Sequence, residues 1–105
     1  MNDANNNWVE MAMLCNMMVS ADVCELALEQ LHEDYFTDSR NRVLFRTIKQ
    51  LSVQQEKRFE MLMQKLQTEG LEDAAGGKAY VFCVYLFVPA GDTESFMRLL
   101  IPKAA

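Results

Sequence analysis

Residues 80–88 read YVFCVYLFV, and whether they form a strand or a helix decides the fold class. β-Branched and aromatic residues dominate the stretch, so local propensity taken alone gives a strand. A strand needs neighbours, however, because its backbone N–H and C=O groups must be partnered once they leave water. No second strand-like run occurs in the chain, and everything upstream has helical spacing. The stretch is therefore expected to be a buried helix, although its own periodicity leaves both conformations open. Pro89 and Gly91 are expected to end it.

Working back from this segment, Gly76-Gly77 provides a tight turn with no Cβ to obstruct a positive φ or a close approach. Before it, Phe59, Leu62, Met63 and Leu66 form an apolar stripe, and Gly70 stands where a helix ends. An earlier stripe is formed by Val43, Leu44, Ile48 and Leu51, with Arg40, Arg42, Arg46 and Lys49 around the other side. Asp38, Ser39 and Asn41 are placed in a loop ahead of it. A short helix through Leu26, Ala27 and Leu31 follows capping oxygens at Ser20 and Asp22. The first helix is broad-faced, with Trp8, Val9, Met11, Met13, Leu14, Met17 and Met18 at spacings of three and four. Beyond the deciding segment, Thr93 to Ile101 resumes a helical pattern until Pro102 breaks it. The expected fold is all-α: a compact orthogonal bundle of about five to six short helices, the last one truncated. Residues 1–8 are expected to be a flexible lead and 9–101 the helical domain.

The chain has 105 residues, half of them hydrophobic, which suits one domain with a core that needs no covalent staples. Its cysteines, Cys15, Cys24 and Cys83, are odd in number and lack C-x-x-C spacing, which argues against a zinc knot and against a secreted disulfide scaffold. No basic stretch precedes an apolar run at the N-terminus, and the longest apolar run, Tyr80 to Ala90, is short of the roughly twenty residues that span a bilayer. A reduced, cytoplasmic, soluble protein is expected, with no membrane partner. With a net charge of −5 the average surface repels phosphate, so direct nucleic-acid binding is not expected.

Three spacings, in order, resemble the N-terminal domain of the DnaB-type replicative DNA helicase family. Leu31, Phe36, Asn41-Arg42-Val43-Leu44-Phe45 and Ile48 are similar to the family's L-x4-F-x4-[HN]-R-x-[IL]-F run between its second and third helices. Leu62, Leu66 and Gly70 resemble the ending of its fourth helix. Gly70, Gly76-Gly77, Ala79-Tyr80 and Pro89 resemble G-x5-G-G-x-A-Y-x8-P, the most specific of the three. Together they cover about Glu10 to Leu100. Two features depart from the family: Ser52 to Arg58 lacks the usual Gly-x-Pro turn, and Asp-Phe-Tyr is replaced by Tyr35-Phe36-Thr37. Independently of any family, Phe36 and Phe45 are bulky anchors expected to hold a loop and a helix on one core.

The resemblance implies an ATP-driven helicase in full length, with ATP and magnesium held by a P-loop in a separate C-terminal domain. No cofactor is expected in this stretch. Gly77-Lys78 imitates the end of G-x-x-x-x-G-K-[ST], but position 72 is Glu and position 79 is Ala. His32 could in principle activate a cysteine, yet it stands beside Glu33 and Asp34 at an expected exposed helix end, while Cys15 and Cys83 lie in apolar runs. One histidine and scattered cysteines give no ligand-spaced metal cluster. Glu25, Glu29, Glu33 and Asp34 form an acidic set that is expected to be solvated, or to orient neighbouring subunits against the basic set.

By resemblance the chain is a non-catalytic collar module of the primosome, associating with other helicase subunits and docking primase or a helicase loader. In that family primase binding depends on a helical hairpin, and here the chain ends inside what would be its first helix. The apolar stub Phe96, Met97, Leu99, Leu100 and Ile101 is the candidate interface, packing on the head or on a second copy to give a homodimer. A free-standing helical adaptor of a replication protein is the alternative, and a small cysteine-dependent enzyme the third reading.

Overall fold

A computed structural model describes residues 4–51, 58–87 and 93–101. The helices are α1 (Ala4–Val19), α2 (Ala21–Gln30), α3 (Ser39–Lys49), α4 (Arg58–Thr68), α5 (Gly77–Tyr85) and α6 (Thr93–Leu100), with one 3₁₀ turn at Glu33–Tyr35. No strand occurs among the described residues, so the deciding segment is helical through Tyr85 and the fold is an all-α bundle. The expected stops at Pro89, Gly91 and Pro102, and the connection at residues 52–57, lie outside the described residues.

The bundle is organised around α1, which packs against each of the other five helices. A helix covered from several sides has to be apolar around most of its girth. Accordingly Val9, Ala12, Met13, Leu14, Cys15, Met17 and Met18 are all buried, whereas Trp8, counted with them in sequence, is 42% exposed. The helix also starts at Ala4, inside the polar lead that was expected to precede it. Asn7 gives the physical reason: its side-chain oxygen accepts from Asn41 Nδ2 at 2.8 Å and its amide donates to Met11 Sδ at 3.5 Å, which ties down the first turns.

Local chemistry sets the helix ends. Ser20 caps α2 by accepting from the Val23 amide at 3.3 Å. Asp38 caps α3 by accepting from the Arg40 amide at 2.9 Å, which draws Ser39 and Asn41 out of the expected loop and into the helix. Gly70 ends α4 at φ +68°, where Leu71 N donates to Leu66 O at 2.8 Å and Gly70 N to Gln67 O at 3.3 Å. That pair of bonds is the Schellman arrangement expected of a helix-ending glycine. Gly76 repeats it before α5 at φ +97°, with Gly77 N donating to Glu72 O at 2.9 Å and Gly76 N to Asp73 O at 3.0 Å.

The anchors behave as expected: Phe36 and Phe45 are buried and their rings meet at 5.0 Å. The centre of the molecule also holds a carboxylate. Glu10, fully buried on α1, accepts from Thr37 N and Thr37 Oγ1 at 2.8 Å each, from Asp38 N at 3.3 Å and from Asn41 Nδ2 at 2.8 Å. Asn41 is buried as well, and its oxygen accepts from the Tyr80 hydroxyl at 2.6 Å. One chain of hydrogen bonds thus fixes α1, the approach to α3, and α5. The Arg40 guanidinium lies 3.9 Å above the centre of the Tyr80 ring, closing the chain from outside.

The same corner contains a pH-sensitive contact. Arg40 donates to both oxygens of Asp38, at 3.0 and 2.7 Å, and these bonds hold the Asp38 carboxyl below its usual range. A folded-state pKa below the unfolded value near 3.9 makes a contribution that is present above that pH and lost as pH falls through the lower folded value. Unfolding free energies from urea titration should therefore be about 1 kcal/mol greater for the wild type than for Asp38→Ala at neutral pH. The gap should narrow below about pH 4, and a gap unchanged down to pH 2 would refute this assignment.

Candidate interaction surface

The deciding helix has two faces. Val81 and Val84 are buried and Tyr80 and Tyr85 partly so, while Phe82, Cys83 and Leu86 point to solvent. The expectation of a buried helix therefore holds for only one side, and Cys83 is exposed although it lies in an apolar run. On the open side, Ala79, Phe82 and Leu86 continue one stripe along and just beyond α5 at helical spacing. Across from it, Phe59 and Met63 stand four apart on α4. Phe59 stacks on Tyr85 at 4.1 Å and lies 5.7 Å from Phe82, with ring planes 18° and 24° apart.

Between the two stripes runs a groove. One cavity, of about 360 Å³, is lined by Phe59, Met63, Lys78, Ala79 and Phe82. A second, of about 420 Å³, shares Phe59, Met63 and Lys78 and extends to Glu60, Gln64, Gln67 and Glu72. Its floor is aromatic and thioether, and its far margin is acid and amide. Glu72 Oε2 is shielded from solvent with no hydrogen-bond partner, since Lys78 Nζ at 3.9 Å is too distant to donate.

The stub expected to form an interface is mostly core. Phe96, Met97 and Leu100 are buried, Ile101 is half-buried, and only Leu99, at 66% exposure, faces outward. Amphipathic spacing explains the arrangement: α6 turns these inward residues onto α1, where Trp8 meets Phe96 edge-on at 5.8 Å and Asn16 Nδ2 donates to Thr93 Oγ1 at 3.1 Å. Of the two outcomes weighed for this stub, packing on the head accounts for three of its five residues. Trp8 and Val19 on α1 and Leu99 on α6 stay exposed.

The charged sets are partly consumed within the chain. Arg46 pairs with Glu33 at 2.7 Å, which draws the Glu33 carboxyl below its usual range, and Arg40 pairs with Asp38. Arg42 reaches the Thr37 carbonyl at 3.4 Å, whereas Glu25, Glu29, Asp34 and Lys49 are exposed. His32 is also exposed, and its Nδ1 accepts from the Asp34 amide at 3.1 Å, so it caps the 3₁₀ turn. The Cys15 thiol donates to the Tyr85 carbonyl at 3.3 Å, and burial pushes its pKa up, the reverse of an activated nucleophile. Among the described residues, no three of His, Cys, Asp and Glu lie close enough to share a metal ion. The Gly77 amide, which a phosphate-binding loop would aim at its ligand, is already bonded to Glu72 O. No helix of the described residues is long and apolar enough to cross a membrane.

Five helices arranged about a central sixth among the described residues, with an apolar groove on one flank, define a small helical module. The family model of the DnaB-like helicase N terminal domain matches residues 2–99, and the chain belongs to that family. No curated protein and no solved structure gives a significant match.

Proposed function

We propose that this chain is the N-terminal collar domain of a replicative DNA helicase, without catalysis of its own, which helps hold subunits in a ring and offers a face to primase or a helicase loader. The match to the DnaB-like N-terminal domain across residues 2–99 carries this reading. The disposition of the side chains supports it. The buried polar groups Glu10 and Asn41 are engaged in holding helices and loop together, while large apolar groups remain outside at Trp8, Phe82, Leu86 and Leu99. Exposed apolar surface of this kind favours association. ATP and magnesium would act on the motor domain of the full-length protein, in the cytoplasm.

The reading frame after codon 105 and the mass of its full product provide the test. A frame continuing into a G-x-x-x-x-G-K-[ST] loop, with a product that runs as a hexamer by light scattering and loses mass when residues 1–101 are deleted, is expected. A stop directly after Ala105 together with a strictly monomeric chain would instead indicate the free-standing adaptor.

A further inference from the structure

We propose that the groove between α4 and α5 receives an amphipathic, basic helix from another protein, with its apolar side on Phe59, Met63 and Phe82 and a lysine or arginine meeting Glu72. This rests on the reading of the chain as a docking module, and it specifies the chemistry of one partner. The groove runs between two helices and presents apolar residues in parallel stripes, Phe59 and Met63 on one side and Ala79 and Phe82 on the other. Such a track suits anchors at i, i+3 or i+4 and i+7 of a helix.

Charge selects the occupant. Glu60 and Glu72 border the groove, and Lys78, paired with Glu72 at 3.9 Å, is the one cation among its described lining residues. A cationic side chain of the partner would meet the open part of the Glu72 carboxylate and Glu60 along this margin, a charge-assisted contact that a neutral or acidic helix lacks. A second copy of the chain fits less well, because at a net charge of −5 it brings like charge to the acidic margin. An anionic membrane surface is disfavoured for the same reason.

The probe is a pair of fluorescein-labelled 18-residue helical peptides with one leucine face, flanked by lysines in the first and by glutamates in the second, titrated into the 105-residue chain by anisotropy. The basic peptide is expected to bind at least about ten-fold more tightly than its acidic twin, or about 1.4 kcal/mol. Phe82→Glu and, independently, Ala79→Arg should each abolish most of that binding. Both positions are exposed, and circular dichroism melts should show each variant folded. Glu72→Gln should reduce the preference between the peptides to less than about three-fold, as expected when one charged contact is lost. Equal or absent binding of the two peptides, undiminished binding by both folded groove variants, or self-association that Phe82→Glu dissolves would overturn the proposal. None of these outcomes would alter ring assembly by the full-length protein, so the two readings fail separately.

Discussion

Replacing Glu10 by alanine should destabilise the domain by about 3–5 kcal/mol, a large part of the 5–15 kcal/mol typical of a whole protein. The loss comes from the donors left behind. Glu10 accepts from two successive backbone amides, Thr37 and Asp38, and from the side chains of Thr37 and Asn41. Thr37 Oγ1 can rotate away, and Asn41 Nδ2 keeps its bond to Asn7. The two amides are fixed by the backbone and cannot turn from this part-buried site, and each unmet donor costs about 1–3 kcal/mol, to which the vacated volume adds. Glu10→Gln provides the sharper comparison. It fills the same space, yet its amide nitrogen must face a backbone donor whichever way it is turned, so it should still lose about 1–3 kcal/mol. Urea midpoints with an unchanged m-value would record both losses as loss of native stability. A Glu10→Gln variant as stable as the wild type would mean that the carboxylate does not organise the loop.

That carboxylate also marks what a sequence can disclose. Within α1 it looks like an ordinary acidic residue in a methionine-rich run, and its partners at Thr37 and Asp38 come close only after α2 and the 3₁₀ turn have reversed the chain. One signal was available: Glu10 stands three and four residues before Met13 and Leu14, on the stripe that becomes most buried. The helix-ending glycines were legible because their chemistry is local. Gly70 and Gly76 both adopt the positive φ that glycine tolerates. The helicity of residues 80–85 was legible from the lack of any strand to pair with, but its two faces were not. Every residue of YVFCVYLFV is apolar, so periodicity contains nothing to separate the buried Val81 and Val84 from the exposed Phe82 and Leu86. The groove follows from that hidden asymmetry and from where α4 lies. The same limitation left two outcomes open for α6: its pattern announced an apolar side, and only the position of α1 shows what covers most of it.

Substituting alanine at Gly76 should cost about 3 kcal/mol, against about 1 kcal/mol at Gly70, although both glycines hold positive φ. The backbone component is shared, since an L-residue in the left-handed region loses about 1–2 kcal/mol at either position. Surroundings separate them. A Cβ on Gly70 would meet nothing within 4 Å, whereas on Gly76 it would lie 2.7 Å from Tyr80 Cδ2, 2.8 Å from Tyr80 Cγ and 2.9 Å from Arg40 Cδ. Arg40 can shift along its flexible stem, but the Tyr80 ring is held by its hydroxyl bond to buried Asn41 and cannot withdraw without breaking it. A double-mutant cycle tests this directly. If the ring is the obstacle, Gly76→Ala should cost only the backbone component, about 1–2 kcal/mol, once Tyr80 is also alanine, and the two changes should be coupled by at least about 1 kcal/mol. Additive losses would instead assign the whole requirement for glycine to φ, leaving the packing of the Tyr80 and Arg40 side chains on Gly76 as a consequence of the turn rather than its constraint.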